Sequence, residues 1–468
     1  MPARAIPRIV IAGISSGSGK TTAAVGVITA LRARGLKVAP FKCGPDYLDP
    51  TYHARAAGAP CHNLDGWMMG REAVLATFQR ACANTDSADS ADIAVIEGVM
   101  GLFDGASPTG EEGSTAEIAK WLAAPVILAL DASGMARTIA AVARGVSAFD
   151  PGLNLSGLIA NRVGSTGHLD LLRKAAHPLP VVGGYPKKPE LAFPERHLGL
   201  QTASQNSIPD SLLAAWGSLT AEWFDLDALL RIASSAPAIE SAAISPPSNS
   251  ECCRIGVAMD DAFHFYYEDN LRRLESLGAK LIHFSPIRDH QLPDIDGVYI
   301  GGGYPEVHAA ELSQNQTMLD SLRGFAAAGG PIYAECGGLM YLSDAIQRID
   351  GATFPMAGLI PLTAVMSTKL QALGYAEVET QDPTILGPAG LRFRGHQFRY
   401  SEPQFRRVSG APVQCAYTVR RRRAGDVQRE GYCNKNVLAS YVHAHWASNP
   451  LAAEGFVKSC VARSGVKT

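Results

Sequence analysis

The segment Gly13–Thr22, reading GISSGSGKTT, constrains this chain most. It follows an apolar run, Arg8–Ala12, and opens a helical pattern, Thr21–Arg34. A strand, a glycine-rich loop, a Lys-Thr pair and a helix, in that order, build a phosphate cradle. The glycines let backbone N–H groups approach an anion, and the helix N-terminus adds its positive end. The pattern assigns Gly13, Gly17, Gly19, Lys20, Thr21 and Thr22 to a nucleotide. Lys20 is expected on the β/γ-phosphates and the Thr21 hydroxyl on Mg²⁺. Five residues separate Gly13 from Gly19, one more than the usual loop. The plain alternative is a Gly/Ser turn before an ordinary helix, and the strand-to-helix context argues against it.

The rest of the chain fits an α/β protein of two domains. Short apolar runs at Arg8–Ala12, Lys37–Phe41, Ile93–Glu97, Val126–Asp131 and Leu155–Asn161 alternate with helical patterns at Thr21–Arg34, Glu72–Ala83 and Ala136–Ala148. This alternation implies a parallel sheet covered on both faces. It dissolves at Ser234–Ser250, which has the Ser, Ala and Pro content of a linker. It restarts with strands at Arg254–Met259, Lys280–Phe284, Gly297–Ile300 and Ile332–Ala334, and helices at Tyr267–Leu277 and Thr317–Ala328. The expected division is 1–233, a linker 234–253, and 254–468. Pro403–Gly431, with the run Arg420–Arg423, is expected as a solvated hairpin or loop; a phosphate site there is the lesser alternative.

Composition removes several classes. The 468 residues are too many for one core. A net charge of −2 gives no global basic field for nucleic acid. No apolar run reaches the ~18 residues of a membrane span. Arg4 and Arg8 precede a short apolar run, but it leads straight into the glycine loop and is expected as a first strand, not a signal peptide. Nine scattered cysteines without a CxxC pair indicate a reducing cytoplasm, not a disulfide framework.

Two acidic clusters follow strand ends, FKCGPDYLDP at Phe41–Pro50 and IEGVMGLFDG at Ile96–Gly105. Ligands bind open parallel sheets at the carboxyl ends of their strands. Lys42, Asp46, Asp49, Glu97 and Asp104 are therefore expected to converge on Lys20. Carboxylates there hold Mg²⁺, and lysines stabilise charge on a transferring phosphoryl group. Each acid alone is also an ordinary turn residue beside Gly or Pro.

A third constellation lies in the second domain. In PIYAECGGLM, Cys336 follows a buried strand and precedes two glycines and a helical stretch. This is the pattern of a nucleophile elbow, and the helix N-terminus is expected to lower the thiol pKa. Gly302 and Gly303, in Ile300–Glu306, sit on a turn that can direct backbone N–H groups at an oxyanion. His443 and His445 share one side of a late strand, where either could act as base. The alternatives are an inert buried thiol, and histidines that pack or ligate a metal.

On these motifs the second domain resembles class I glutamine amidotransferases of the cobyrinate and cobyric acid synthase type. The first resembles the dethiobiotin synthetase family of ATPases, whose loop carries the same extra residue. The domain order together with FKCGPDYLDP, IEGVMGLFDG, GGGYPE and AECGGLMYL resembles the cobyrinate a,c-diamide synthase family over nearly the whole chain. The resemblance implies an ATP- and Mg²⁺-dependent ligase. It would phosphorylate a tetrapyrrole carboxylate, free ammonia from glutamine on Cys336 with His443 as base, and amidate the a and c acetates in cobalamin biosynthesis. It places Tyr47 and Leu48 against the macrocycle, with Asp49 and Asp104 on the substrate side. Thr21, Asp46 and Glu97 fall at the metal, and Asn161 at the adenine, although a turn Asn is equally expected there. Most class I glutaminases carry Glu two residues after the catalytic His; here it is His445.

Other readings stay open. They are cobyric acid synthase, nickel-sirohydrochlorin or hydrogenobyrinate a,c-diamide synthase, a partitioning-type switch ATPase, and a non-catalytic corrinoid binder. Neither nucleic acid nor membrane is expected as a partner, and a homodimer is admitted.

Overall fold

Every residue of β1 (Arg8–Gly13) is buried, as a central strand covered on both faces requires. The structure is a computed structural model describing residues 5–83, 90–187, 209–240, 250–405, 413–422 and 425–464. Arg4, residues 241–249 of the expected linker, and 406–412 and 423–424 of the Pro403–Gly431 segment lie outside them. The chain folds as two units, Met1–Ile244 and Ser245–Thr468.

In the first unit β1 is followed by α1 (Lys20–Ala33), β2 (Val38–Cys43), α2 (Asp49–Ala57), β3 (His62–Leu64), α3 (Gly66–Ala83) and β4 (Ile93–Glu97). Then come α4 (Thr115–Trp121), β5 (Val126–Asp131), α5 (Thr138–Phe149), β6 (Leu155–Asn161), α6 (Thr166–Ala176), β7 (Val181–Gly183), α7 (Asp210–Trp223) and α8 (Leu226–Ser234). The seven strands lie in the order β3-β2-β4-β1-β5-β6-β7, and all neighbours are parallel. Ile9 and Ile11 of β1 pack with Ile93, Val95, Ile127 and Ile159 beneath α1, α2, α7 and α8. The loops after β1, β2, β4 and β6 therefore emerge at one edge.

The second unit begins β8 (Cys253–Ala258), β9 (Phe263–Phe265), α9 (Glu268–Ser276), β10 (Ala279–Phe284), β11 (Gly297–Ile300), β12 (Gly302–Gly303), α10 (Ala309–Gln314), α11 (Gln316–Ala327), β13 (Ile332–Glu335) and α12 (Gly337–Leu342). After this the chain is strand-rich: β14 (Ser343–Gln347), β15 (Thr353–Pro355), β16 (Ile360–Met366), β17 (Ala372–Thr380), β18 (Arg392–Arg399), β19 (Ser401–Phe405), β20 (Gln414–Arg421), β21 (Val427–Asn434), β22 (Val437–Ser440) and β23 (His443–His445), closed by α13 (Leu451–Ser464). Ten strands form one sheet, β10-β8-β11-β13-β22-β21-β20-β17-β18-β23. It is parallel from β10 to β22 and antiparallel beyond. Four further strands, β15-β14-β16-β19, make a smaller sheet.

The expectation of a solvated hairpin at Pro403–Gly431 is corrected. The hairpin exists, since β20 pairs antiparallel with β21, but it is an interior part of the large sheet. Ala416, Tyr417, Val419 and Glu430 are buried, because alternate residues of these strands face a core. Of the arginine run, Arg421 pairs with Asp426 across the turn; Arg423 is outside the described residues. Among those residues no helix is long and apolar enough to cross a membrane.

Candidate active site

The loop between β1 and α1 folds over its own lysine. A Cβ on Gly13 would stand 2.8 Å from Lys20 Nζ. The ammonium donates to the carbonyls of Ser15 (2.9 Å) and Met100 (2.6 Å). Gly19 has φ 85° at the cap of α1, and a Cβ there would strike Asn161 Nδ2 at 2.5 Å. Asn161, at the end of β6, donates that nitrogen to the Ser18 carbonyl at 2.8 Å, while its buried Oδ1 meets no partner among the described residues. Asn161 is thus a clamp on the phosphate loop. No acid lies in the first turn of α1, where Thr21 and Thr22 stand half-buried, so its positive end is open to an anion.

The Thr21 hydroxyl donates to Glu97 Oε1 at 2.7 Å. Lys42 reaches the same oxygen at 2.9 Å and Asp49 at 2.7 Å, and His53 Nε2 lies 2.5 Å from Glu97 Oε2. Glu97, Lys42, Asp49 and His53 are all buried. Burial alone favours neutral Glu97, but Lys42 and the His53 bond more than reverse this, and its carboxyl sits below the usual range. Burial likewise opposes the charge on Lys42, yet Asp49 and Glu97 outweigh it and hold its pKa above the ordinary value. Lys42 therefore meets the phosphate loop through Glu97. His53 was not anticipated. Its only sequence signal is that it follows Asp49 by four residues, on the same face of α2.

The other assignments in this unit divide. Asp46 Oδ1 accepts from the N–H groups of Leu48 (2.7 Å) and Asp49 (3.2 Å), so it caps the entry to α2, and its charge also acts on Lys42 through space. One oxygen of Asp46 is thus held by the turn, while Thr21 and Glu97 meet directly. Tyr47 and Leu48 are half-buried in the same loop. Asp49 faces Lys42. Asp104 accepts from its own loop at the Gly101 N–H, 2.9 Å, and that loop is tied to the first by Leu102 N–H on the Gly13 carbonyl at 2.8 Å. Thr21 beside Glu97 is a donor set that fits Mg²⁺, which takes one or two protein oxygens and leaves the remaining positions to phosphate and water.

In the second unit Cys336 holds φ 47° and ψ −99° between β13 and α12, an uncommon conformation for a residue with a Cβ. Its N–H donates to the Ser440 carbonyl at 2.7 Å. The two glycines after it are required by close approach. A Cβ on Gly337 would meet Gly303 N at 3.0 Å, and one on Gly338 would meet the Ile300 carbonyl oxygen at 2.4 Å. A Cβ on Gly302 would meet His443 Cε1 at 2.4 Å. The two residues of β12 thus touch the imidazole on one side and the cysteine turn on the other. Cys336, Gly302, Gly303 and His443 are brought together.

The expected low thiol pKa is corrected. Burial pushes Cys336 up to about 12, with Glu306 adding to the rise and Arg399 opposing it. The helix that follows is only six residues long and does not offset the lost hydration. The thiol is neutral until a base takes its proton. His443 is 2% exposed; burial, then His396, holds it down to about 3, so it is an unprotonated acceptor. His445 is also neutral, held to about 4 by burial; its ring packs on Tyr267 with centroids 4.7 Å apart. Glu335 Oε2 lies 3.9 Å from His443 Nδ1. That acid was in plain view in AECGG, but nothing in the sequence set it apart from a strand-end residue.

Known proteins match both units. The CobQ/CobB/MinD/ParA nucleotide binding domain matches residues 9–200, and the CobB/CobQ-like glutamine amidotransferase domain matches 254–451. A cobyrinate a,c-diamide synthase of Leptospira interrogans is 54% identical over 97% of this chain and 99% of its own. One from Syntrophotalea carbinolica is 48% identical over 97% and 98%, and one from Methanothermobacter thermautotrophicus is 41% identical over 97% and 99%.

Proposed function

Because the chain belongs to the cobyrinate a,c-diamide synthase family, we propose that it joins ammonia from glutamine to the a and c acetate carboxylates of cobyrinate. It is a glutamine-dependent amidating ligase of cobalamin biosynthesis. The observation that best supports a glutaminase is β12, which abuts both the positive-φ Cys336 turn and the His443 ring.

On this reading His443 takes the Cys336 proton, and the sulfur attacks the side-chain amide carbon of glutamine. The carbonyl oxygen gathers negative charge, and the Gly303 N–H is the nearby donor to meet it. As the C–N bond breaks, the nitrogen takes the proton from His443 and leaves as ammonia. Water, deprotonated by His443, then cleaves the thioester to glutamate and the free thiol.

In the first unit a substrate carboxylate oxygen attacks the γ-phosphorus of ATP and the bond to ADP breaks, giving an acyl phosphate. Ammonia attacks its carbon, phosphate leaves, and the amide loses a proton. Lys20, released from the Ser15 and Met100 carbonyls, meets the β- and γ-phosphate oxygens. Thr21 and Glu97 would hold Mg²⁺, and the chemistry that ion would supply there is positive charge against the phosphoryl oxygens. Lys42 and His53 keep Glu97 ionised, and Asp49 holds Lys42 in place against it. Tyr47 and Leu48 line the macrocycle side, with Asp104 on the loop beside them. The nine unpaired cysteines suit the cytoplasm expected for this chemistry.

The test is incubation with ATP, Mg²⁺, glutamine and a panel of tetrapyrrole acids, with mass spectrometry counting amides. Two amides on cobyrinate are expected. Amidation of nickel-sirohydrochlorin with none on cobyrinate would overturn the substrate assignment.

A further inference from the structure

β12 sets the Cys336 turn and the His443 ring on either side of it, and burial keeps the thiol and the imidazole both neutral at rest. The product of transfer is a thiolate and an imidazolium, both buried. A third group must hold the base in one tautomer and stabilise its charge. The residue two places after the base cannot do so here. His445 carries no charge, and neither of its ring nitrogens meets a hydrogen-bond partner among the described residues. The charged groups acting on it are Asp269 and Arg273 of α9.

We infer that Glu335 is the positioning carboxylate for His443, supplied from the strand that carries the nucleophile instead of the strand that carries the base. This rests on the glutaminase reading above. Glu335 is 1% exposed and is the last residue before Cys336. Its Oε1 accepts from the Tyr333 hydroxyl at 2.9 Å and from the Ala444 N–H at 3.0 Å. Its Oε2 accepts from the Tyr299 hydroxyl at 3.1 Å and faces His443 Nδ1 at 3.9 Å. Ala444 lies between the two histidines, so one carboxylate fixes both the backbone of β23 and the aim of the ring. The 3.9 Å separation exceeds a hydrogen bond, but such contacts commonly shorten once substrate is bound.

The groups acting on or through Glu335 are the hydroxyls of Tyr266, Tyr299, Tyr333 and Tyr417, with His443 and the Cys336 thiol. None is a cation in the resting site. An imidazolium formed at His443 would be the first positive charge beside this carboxylate, and in a dry site that attraction is strong. Burial raises Glu335 to about 7, against the pull of the Tyr333, Ala444 and Tyr299 bonds.

The test is Glu335→Gln, which keeps shape and acceptor oxygen but removes the charge. Glutamine-dependent kcat should fall on the order of 10²-fold, less than the ~10⁴-fold typical of a triad carboxylate in direct contact. KM for glutamine and the rate with ammonium should stay as in the wild type. Wild-type glutamine turnover in this variant would overturn the assignment. Should the ammonium rate fall as well, the variant is misfolded and Tyr299→Phe decides. Loss of that hydroxyl bond leaves Glu335 protonated to higher pH, so the acid limb of glutamine kcat/KM should move upward; an unmoved limb overturns the proposal. If glutamine turnover survives Cys336→Ala, the glutaminase reading itself falls, and the role of Glu335 with it.

Discussion

Lys42 shows how a charged residue can be fully interior. The residue is 2% exposed, and its ammonium lies against Asp49, Glu97 and the Gly98 carbonyl. Removing one member of a buried ionic group leaves the others unpaired. Lys42→Met should destabilise the first unit by about 3–5 kcal/mol and weaken nucleotide binding, read by denaturant melts and ATP titration. A variant as stable as the wild type would show that Glu97 is charged by other means. His445 allows a sign-checked pH test. Its folded value, about 4, lies below the ordinary ~6.5. Above pH ~6.5 neither state binds the proton and the contribution is whole. As pH falls below that, the unfolded chain takes up a proton that the folded chain refuses, until the folded value is reached. The stability lost between about pH 7.5 and 5 should be smaller by about 2 kcal/mol in His445→Gln than in the wild type; equal losses would mean that His445 is not buried neutral. At this scale the sequence displayed Lys20, Cys336 and His443, because their chemistry depends on local motifs. It hid His53 and Glu335, whose contacts are with residues 44 and 108 positions away.

The elements owe their positions to backbone approach. α12 packs so closely on β11 that Gly338 leaves no room for a methyl group. Gly338→Ala would force α12 away from the Ile300 carbonyl and rotate Cys336 out of its positive-φ turn. It should cost about 1–3 kcal/mol and most glutamine turnover, while ammonium-driven amidation persists. Undiminished glutamine turnover would show that the turn tolerates the shift. Most of the parallel strands were legible as short apolar runs, but β3 (HNL) and β7 (VVG), three residues each, were too short to stand out. The stretch from Ser343 to His445 was not legible. Several of its strands bury one face only, as in β16, where Ile360, Leu362 and Ala364 are buried between partly exposed neighbours. Such alternation is weak in a sequence when polar residues also occupy buried positions, as Gln397 and Glu430 do here.

For the whole molecule, the account requires two chemistries that fail separately. A phosphate loop without Lys20 stops every amidation, since no acyl phosphate forms whatever the nitrogen source. A second unit without the Cys336 thiol loses only glutamine. The most direct measurement supplies cobyrinate, ATP and Mg²⁺ with either glutamine labelled by ¹⁵N in its side-chain amide or ¹⁵N-ammonium, and follows label in the product by mass spectrometry. Wild type is predicted to give a diamide carrying ¹⁵N at both positions from either source, Cys336→Ala the labelled diamide from ammonium alone, and Lys20→Ala no labelled product from either. Labelled diamide from glutamine in Cys336→Ala, or from ammonium in Lys20→Ala, would contradict the account.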